Sequence, residues 1–185
     1  MKWMIASDIH GSALFCEELL KAYDREKANR LLLLGDLLYH GPRNPLPEGY
    51  DPPEVISMLN ARSRDILCVR GNCDTEVDQM VLHFPIMADY ALLALDELRL
   101  YATHGHIYHK NHLPPLQPGD VLIHGHTHIP AWEACEGHWI LNPGSVSIPK
   151  DGSSHSYMTL ENHRFQWKTL KGETYHECDG MLGNR

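Results

Sequence analysis

Seven side chains in this 185-residue sequence are of types that hold divalent metal ions, and they fall in five short clusters: Asp8 with His10, Asp36, Asn72, His104, and His126 with His128. In extended backbone, side chains two residues apart point to the same side. Asp8 and His10 can therefore face one spot, and so can His126 and His128 of the run His124-Gly125-His126-Thr127-His128. Gly125 removes a Cβ that would crowd a close approach. Imidazole is the commonest protein ligand for a transition metal. Two carboxylates, one carboxamide and four imidazoles, with no thiolate, suit borderline or harder divalent ions. Manganese is the first expectation, with zinc, iron or nickel behind it. Seven donors are too many for one tetrahedral site and fit two ions that share a carboxylate. Asp36, the lone carboxylate on its loop, is the natural bridge. Two ions ~3.5–4 Å apart are the usual device for phosphoryl transfer. They lower the pKa of a bridging water, giving hydroxide near neutral pH, and neutralise phosphate oxygens as charge builds up in the transition state.

Each cluster follows a short apolar run, and those runs must position it. Residues 3–6 read as a buried strand that breaks into Ser7-Asp8-Ile9-His10-Gly11. Ser12 is the expected cap of a helix reaching about Glu26, with Phe15, Cys16, Leu19, Leu20 and Tyr23 at helical spacing. Residues 31–34, four leucines, form a second strand ending in Gly35-Asp36. Strand, helix and strand make a parallel βαβ unit, in which function sits beyond the strand C-terminal ends. Residues 39–53 are rich in Pro and Gly and read as a long loop carrying His40, Arg43 and Asn44. Asp51-Pro52-Pro53-Glu54 opens a second helix with Val55, Ile56 and Leu59 inward. Residues 66–69 form a third strand before Arg70-Gly71-Asn72-Cys73-Asp74, followed by a short helix over 75–80.

The second half changes character. Residues 91–95 and 98–102, joined by Asp96-Glu97, read as a β-hairpin ending in Thr103-His104-Gly105-His106. A proline-bearing loop leads to a strand at 121–123, then strand-like pieces at 131–134, 138–141, 157–160 and 165–170. Asn142-Pro143-Gly144-Ser145 is turn chemistry, read as structural. From Lys171 the chain is polar, either a frayed strand or a loose tail. A parallel half followed by an antiparallel half predicts two sheets packed face to face, with helices outside, in a single domain over 1–185.

The formal charge is −8 and the pI about 5.9, which argues against broad electrostatic binding of nucleic acid or an anionic membrane. A phosphate substrate stays compatible, because bound metal ions reverse the field locally. Five irregularly spaced cysteines do not form a disulfide framework, and no apolar run approaches the ~20 residues of a membrane span. The expected setting is cytoplasmic. Of the 14 histidines, His40, His83, His109, His112, His138, His155, His163 and His176 read as ordinary surface or core residues.

Taken together, D-x-H at Asp8 to His10, G-D at Gly35-Asp36, G-N-x-D at Gly71 to Asp74, T-H-G-H at Thr103 to His106 and G-H-T-H at Gly125 to His128 resemble the calcineurin-like metallophosphoesterase family. Gly35-Asp36 with His40-Gly41-Pro42-Arg43-Asn44, Arg70-Gly71-Asn72-Cys73-Asp74 and Asn142-Pro143-Gly144-Ser145 narrow the resemblance to its small bacterial and archaeal phosphodiesterase branch. The resemblance implies a four-layer α/β/β/α sandwich of two mixed β-sheets. It implies one metal held by Asp8, His10, Asp36 and His128, and a second by Asp36, Asn72, His104 and His126. Phosphatases of the family usually carry histidine after the Asn of G-N-H-D/E, where this chain has Cys73. An uncharged thiol is a weak donor, so activated or diester substrates are favoured. Arg43 is the expected compensation, holding a phosphate oxygen with its planar fork. Asp74 and His106 are expected to orient ligands from behind.

The function expected is a metal-dependent phosphoesterase, a phosphodiesterase first, acting on a small phosphodiester, with Asp36, Asn72, Cys73, Asp74 and Arg43 as its catalytic set. A phosphomonoesterase or nucleotide hydrolase is the alternative within enzymes. A non-catalytic scaffold, like the eukaryotic retromer subunit that the fold includes, is the alternative outside them. Intact ligand positions favour catalysis. The hydrophobic hairpin at 90–102 is either core or the face of a homo-oligomer.

Overall fold

The computed structural model describes residues 1–135 and 137–180. The parallel unit forms as its apolar runs dictate. Strand β1 (Trp3–Ala6) pairs in parallel with β2 (Arg30–Leu33), and β2 with β3 (Ile66–Cys68). Helix α1 (Ala13–Glu26) starts where the Ser12 hydroxyl accepts the Phe15 N–H at 3.2 Å. It ends at Lys27, which takes a left-handed conformation at φ 51° and turns the chain toward β2. Helix α2 (Pro52–Asn60) has Asp51 as its cap, accepting the Glu54 N–H, with prolines in the first turn where no N–H is missed. Residues 39–53 are irregular, and a short helix α3 (Glu76–Val81) follows Thr75.

The second half departs from the antiparallel expectation. The hairpin of β4 (Tyr90–Leu95) and β5 (Leu98–Thr103) has the expected turn. Beyond it, β5, β6 (Val121–Ile123) and β8 (His138–Asn142) run parallel, and β7 (Ala131–Cys135) pairs antiparallel on the far edge. Three consecutive apolar residues are buried on both faces in β6, which is the signature of a parallel strand and not of a half-exposed antiparallel one. The chain then returns to the first sheet through β9 (Ser156–Glu161), β10 (Arg164–Thr169) and β11 (Thr174–Asp179). The two mixed sheets are ordered β11-β10-β9-β1-β2-β3 and β4-β5-β6-β8-β7. The polar stretch after Lys171 is thus a strand, paired with β10 through residue 179; the expected tail beyond 180 lies outside the described residues.

Alternation sorts the core into three layers. Met4, Ala6, Leu31 and Leu33 face α1 and α2 and pack with Cys16, Leu19, Val55 and Leu59. Ile5, Leu32 and Leu34 point the other way and meet Leu100, Val121, Ile123, Leu141 and Trp167 between the sheets. Tyr101, Leu122 and Ile140 line the outer face of the second sheet under Leu113 and Leu116. The two outer layers are therefore unequal: two helices on one side, irregular chain from the 104–120 connection on the other. No helix among the described residues is long and apolar enough to cross a membrane. The essential consequence is that six parallel strands, three per sheet, end at one edge of the sandwich.

Candidate metal centre

The residues just past five of those six strand ends converge. Asp8 and His10 follow β1, Asp36 follows β2, Asn72 follows β3, His104 follows β5, and His126 and His128 follow β6. Asp8, His10 and His104 are completely buried, and Asp36 and His128 nearly so. Asp8 Oδ1 lies 3.3 Å from His128 Nε2 and 3.6 Å from His10 Nε2, and the two imidazole nitrogens are 3.2 Å apart. On the other side His104 Nε2 is 3.1 Å from Asn72 Oδ1 and 3.2 Å from His126 Nδ1. Asp36 joins the two groups: its Oδ2 is 3.4 Å from His104 Nε2 and 3.7 Å from His10 Nε2. The seven residues singled out from the sequence are brought together around Asp36.

Backbone groups fix which atoms face inward. The Nδ1–H groups of His10, His104 and His128 donate to the carbonyls of Tyr39, Leu34 and Ile148, each at 2.7 Å. A carbonyl can only accept, so Nδ1 carries a proton and Nε2 is the atom turned to the site. Asp36 Oδ1 accepts the Cys73 N–H at 2.8 Å, which turns Oδ2 toward the histidines. Asp8 Oδ2 accepts the His126 N–H, while Asp8 Oδ1 is buried without a hydrogen-bond partner. A buried, unpartnered carboxylate oxygen ringed by imidazole nitrogens is the arrangement a divalent cation satisfies, and the oxygen and nitrogen donors fit such an ion.

Backbone geometry is bent to this end. Asp8, His10, Asp36, His126 and His128 all have φ between 49° and 66°, the left-handed region that costs a non-glycine residue of order 1–3 kcal/mol. The extended spacing argument thus reached the right pairs by the wrong backbone: the strands stop at Ala6 and Ile123, and the loops deliver the pairs by left-handed turns. Gly125 is essential as foreseen, since a Cβ there would stand 1.9 Å from Ser7 Oγ and 2.8 Å from Asp8 Oδ2.

The electrostatics describe a site built for cations. Burial pushes the Asp8 and Asp36 carboxyls up, yet the close imidazoles of His10, His128 and His104 outweigh it and hold both below their ordinary range. Burial likewise lowers His104, but Asp36 and Asp8 outweigh it and raise its pKa to about 9. His126, desolvated and repelled by His104, falls to about 4 and is neutral.

The remaining expectations divide. Asp74 is buried and faces away from the cleft; its carboxylate accepts the N–H groups of Asp36, Leu37 and Gly71 at 2.9, 2.9 and 2.7 Å. It positions Asp36 rather than touching a substrate. Cys73 lines the cleft, its Sγ accepting from Asn72 Nδ2 at 3.2 Å, and burial with nearby Asp36 pushes its thiol far up, so it is uncharged. Arg43 is exposed at the mouth and lies in no ion pair among the described residues. His106 makes no ligand-orienting hydrogen bond: its ring lies 5.4 Å from that of His104 and its buried Nδ1 has no partner.

Two features were missed. Asn142 and Ser145 do more than turn the chain: Asn142 Nδ2 donates to Gly125 O at 2.8 Å and Thr127 Oγ1 at 3.1 Å, and the Ser145 and Ser147 hydroxyls donate to Asp8 O. Polar residues this dense after a strand were the available signal. Lys150, whose N–H donates to His128 O, lies with Arg43 on a cleft of about 510 Å³ lined also by Asp36, Asn72, Cys73 and His126; nothing in its sequence context marked it.

Comparison with known proteins agrees with this geometry. Residues 1–164 match the calcineurin-like phosphoesterase superfamily domain. The chain is 51% identical over 162 residues, 88% of each chain, to a protein named phosphodiesterase YfcE from Escherichia coli K12. The solved structure of YfcE, described as a phosphoesterase from E. coli, superposes with a TM-score of 0.94 at 46% identity, covering 97% of this chain and 99% of that one. A Vps29 from Entamoeba histolytica solved with zinc shares the fold alone, at a TM-score of 0.61 and 19% identity over 97% of this chain and 99% of that one.

Proposed function

This chain belongs to the calcineurin-like phosphoesterase superfamily, and from that premise we propose that it is a phosphodiesterase that hydrolyses a small phosphodiester with two divalent ions, manganese first, in the cytoplasm. One observation carries the reading: Asp36 Oδ2 stands between two donor sets, near the buried His10 on one side and the buried His104 on the other. Asp8, His10, Asp36 and His128 would hold one ion, and Asp36, Asn72, His104 and His126 the other. Bound there, the ions supply Lewis acidity that activates water and screens the phosphoryl oxygens.

The chain's own groups do the rest. Carbonyl-anchored imidazoles keep their Nε2 atoms aimed inward, so little reorganisation remains at the moment of reaction. The Cys73 N–H fixes the orientation of the shared carboxylate. Arg43 and Lys150 set positive charge at the mouth of an otherwise acidic protein and draw an anion toward the site. The product pair is a phosphomonoester and an alcohol. A diester carries one negative charge and a monoester close to two at neutral pH. Replacing a protonatable imidazole by the uncharged Cys73 thiol removes positive charge where only the monoester demands it. The five unpaired cysteines accord with a reducing compartment.

The test is hydrolysis by metal-stripped protein of a diester and a monoester of 4-nitrophenol, with manganese, zinc, nickel and magnesium restored singly and Asp36→Asn as control. Metal-dependent turnover that favours the diester and is lost in the control is expected. A monoester preference, or full activity after stripping, would contradict the proposal.

A further inference from the structure

A second cleft, about 440 Å³, opens beside the first, and His126 lines both. The two clefts therefore meet at the metal-binding residues, one on each side of a single imidazole. Their chemistry differs sharply. The first carries two cations, Arg43 and Lys150, neither in an ion pair among the described residues. The second has an apolar floor of Ile129, Pro130, Ala131 and Ile140. Its one lysine, Lys110, is neutralised by Glu133 at 3.3 Å. His106 stands on its wall.

We infer that the two clefts hold the two arms of one diester: the departing alcohol on the Arg43 and Lys150 side, and the retained ester arm, an aromatic or otherwise apolar group, in the His106–Ala131 cleft. This rests on the phosphodiesterase reading above and assigns its substrate class. The assignment follows from where charge develops. In hydrolysis a bond forms between phosphorus and a water oxygen, the bond from phosphorus to the departing oxygen breaks with its electron pair, and a proton from water ends on the departing alcohol. Negative charge grows on that oxygen, and unpaired cations stabilise it. The retained arm gains no charge and is served by the apolar floor of Ile129, Pro130, Ala131 and Ile140.

The experiment holds the leaving group constant. Wild-type protein with manganese is given methyl 4-nitrophenyl phosphate and phenyl 4-nitrophenyl phosphate, and kcat/KM is compared. The phenyl ester is expected to be favoured by on the order of tenfold, the usual scale for filling an apolar subsite. Ala131→Phe, which fills the cleft, and Ile129→Ala, which strips its floor, are each expected to bring the ratio toward one. General damage to the fold would lower both substrates and leave the ratio. Lys150→Ala is expected to slow diesters of unsubstituted phenol more than those of 4-nitrophenol, because the poorer leaving group needs the cation more. Turnover of both diesters with a wild-type ratio near one, or a ratio unmoved by both cleft variants, overturns the arm assignment and leaves the phosphodiesterase reading standing. Absence of turnover with either diester overturns both.

Discussion

Asp74 stands behind Asp36 and holds it: Asp74 Oδ2 accepts the Asp36 N–H at 2.9 Å, from the side away from the cleft. Two further N–H groups, of Leu37 and Gly71, complete the clamp. The loops after β2 and β3 are thereby locked to each other, and the approach is so close that a Cβ on Gly71 would lie 2.0 Å from Asp36 Oδ1. The shared carboxylate and the residues that bring Asn72 to the site thus move as one unit.

Asp74→Asn tests that clamp. One amide oxygen cannot accept all three N–H groups, and the new NH2 faces a donor. The expected cost is about 1–3 kcal/mol of stability, with metal affinity down about 10–100-fold. Thermal melting and a metal titration measure the two. A variant with native melting temperature and native affinity would show that Asp74 positions nothing.

Gly125→Ala forces a methyl group into Ser7 and the Asp8 carboxylate. Asp8 is held by the His126 N–H and the Ser145 hydroxyl, and Ser7, whose own Cβ would be 2.7 Å away, is fixed through its carbonyl by the Val146 N–H, so neither can yield cheaply. A destabilisation of about 2 kcal/mol or more is expected, together with loss of ion binding at the Asp8 set, read by denaturant melting and metal analysis. Unchanged metal content would sink the close-packing account of this glycine.

How much of this was legible in the sequence depends on the residue. Strand runs, the Ser12 and Asp51 caps and the Asp96-Glu97 turn are local, so pattern found them. The parallel set β5-β6-β8 was not legible, because three apolar residues at 121–123 carry no directional signal. Strand β11 hid for the opposite reason: Thr174–Asp179 is polar and is held by backbone pairing to β10 and not by burial. Residue types at the site were readable; the left-handed turns at Asp8, His10 and Asp36 and the hydroxyl clamp from Ser145 and Ser147 are tertiary facts.

Cys73→His restores an imidazole beside the shared carboxylate. The expected outcome is a shift of the diester-to-monoester ratio of kcat/KM toward the monoester by about tenfold, measured with matched 4-nitrophenyl esters. A ratio identical to wild type would remove Cys73 from the explanation of substrate preference.

Glu26 ties the fold's first layer together, with Lys2 and Lys168 at 2.5 and 2.8 Å and the Tyr157 hydroxyl donating to it at 2.9 Å. Burial pushes its carboxyl up, but the hydrogen bonds from Lys168, Lys2 and Tyr157 outweigh this and lower its pKa from 4.5 to about 2. A folded pKa below the unfolded one adds stability above about pH 4.5 and loses it as pH falls toward 2. Glu26→Gln should therefore cost on the order of 1–2 kcal/mol at pH 7, and the difference from wild type should shrink across that acid window in denaturant melts. A difference constant from pH 7 to pH 2.5 would contradict the assignment.

The central claim is that Asp36 is shared by two ions. Crystals grown with manganese and measured by anomalous scattering address it directly. Two peaks ~3.5–4 Å apart, one beside Asp8, His10 and His128 and the other beside Asn72, His104 and His126, with Asp36 between them, is the predicted result. A single peak, or two peaks with Asp36 bound to only one, would contradict it.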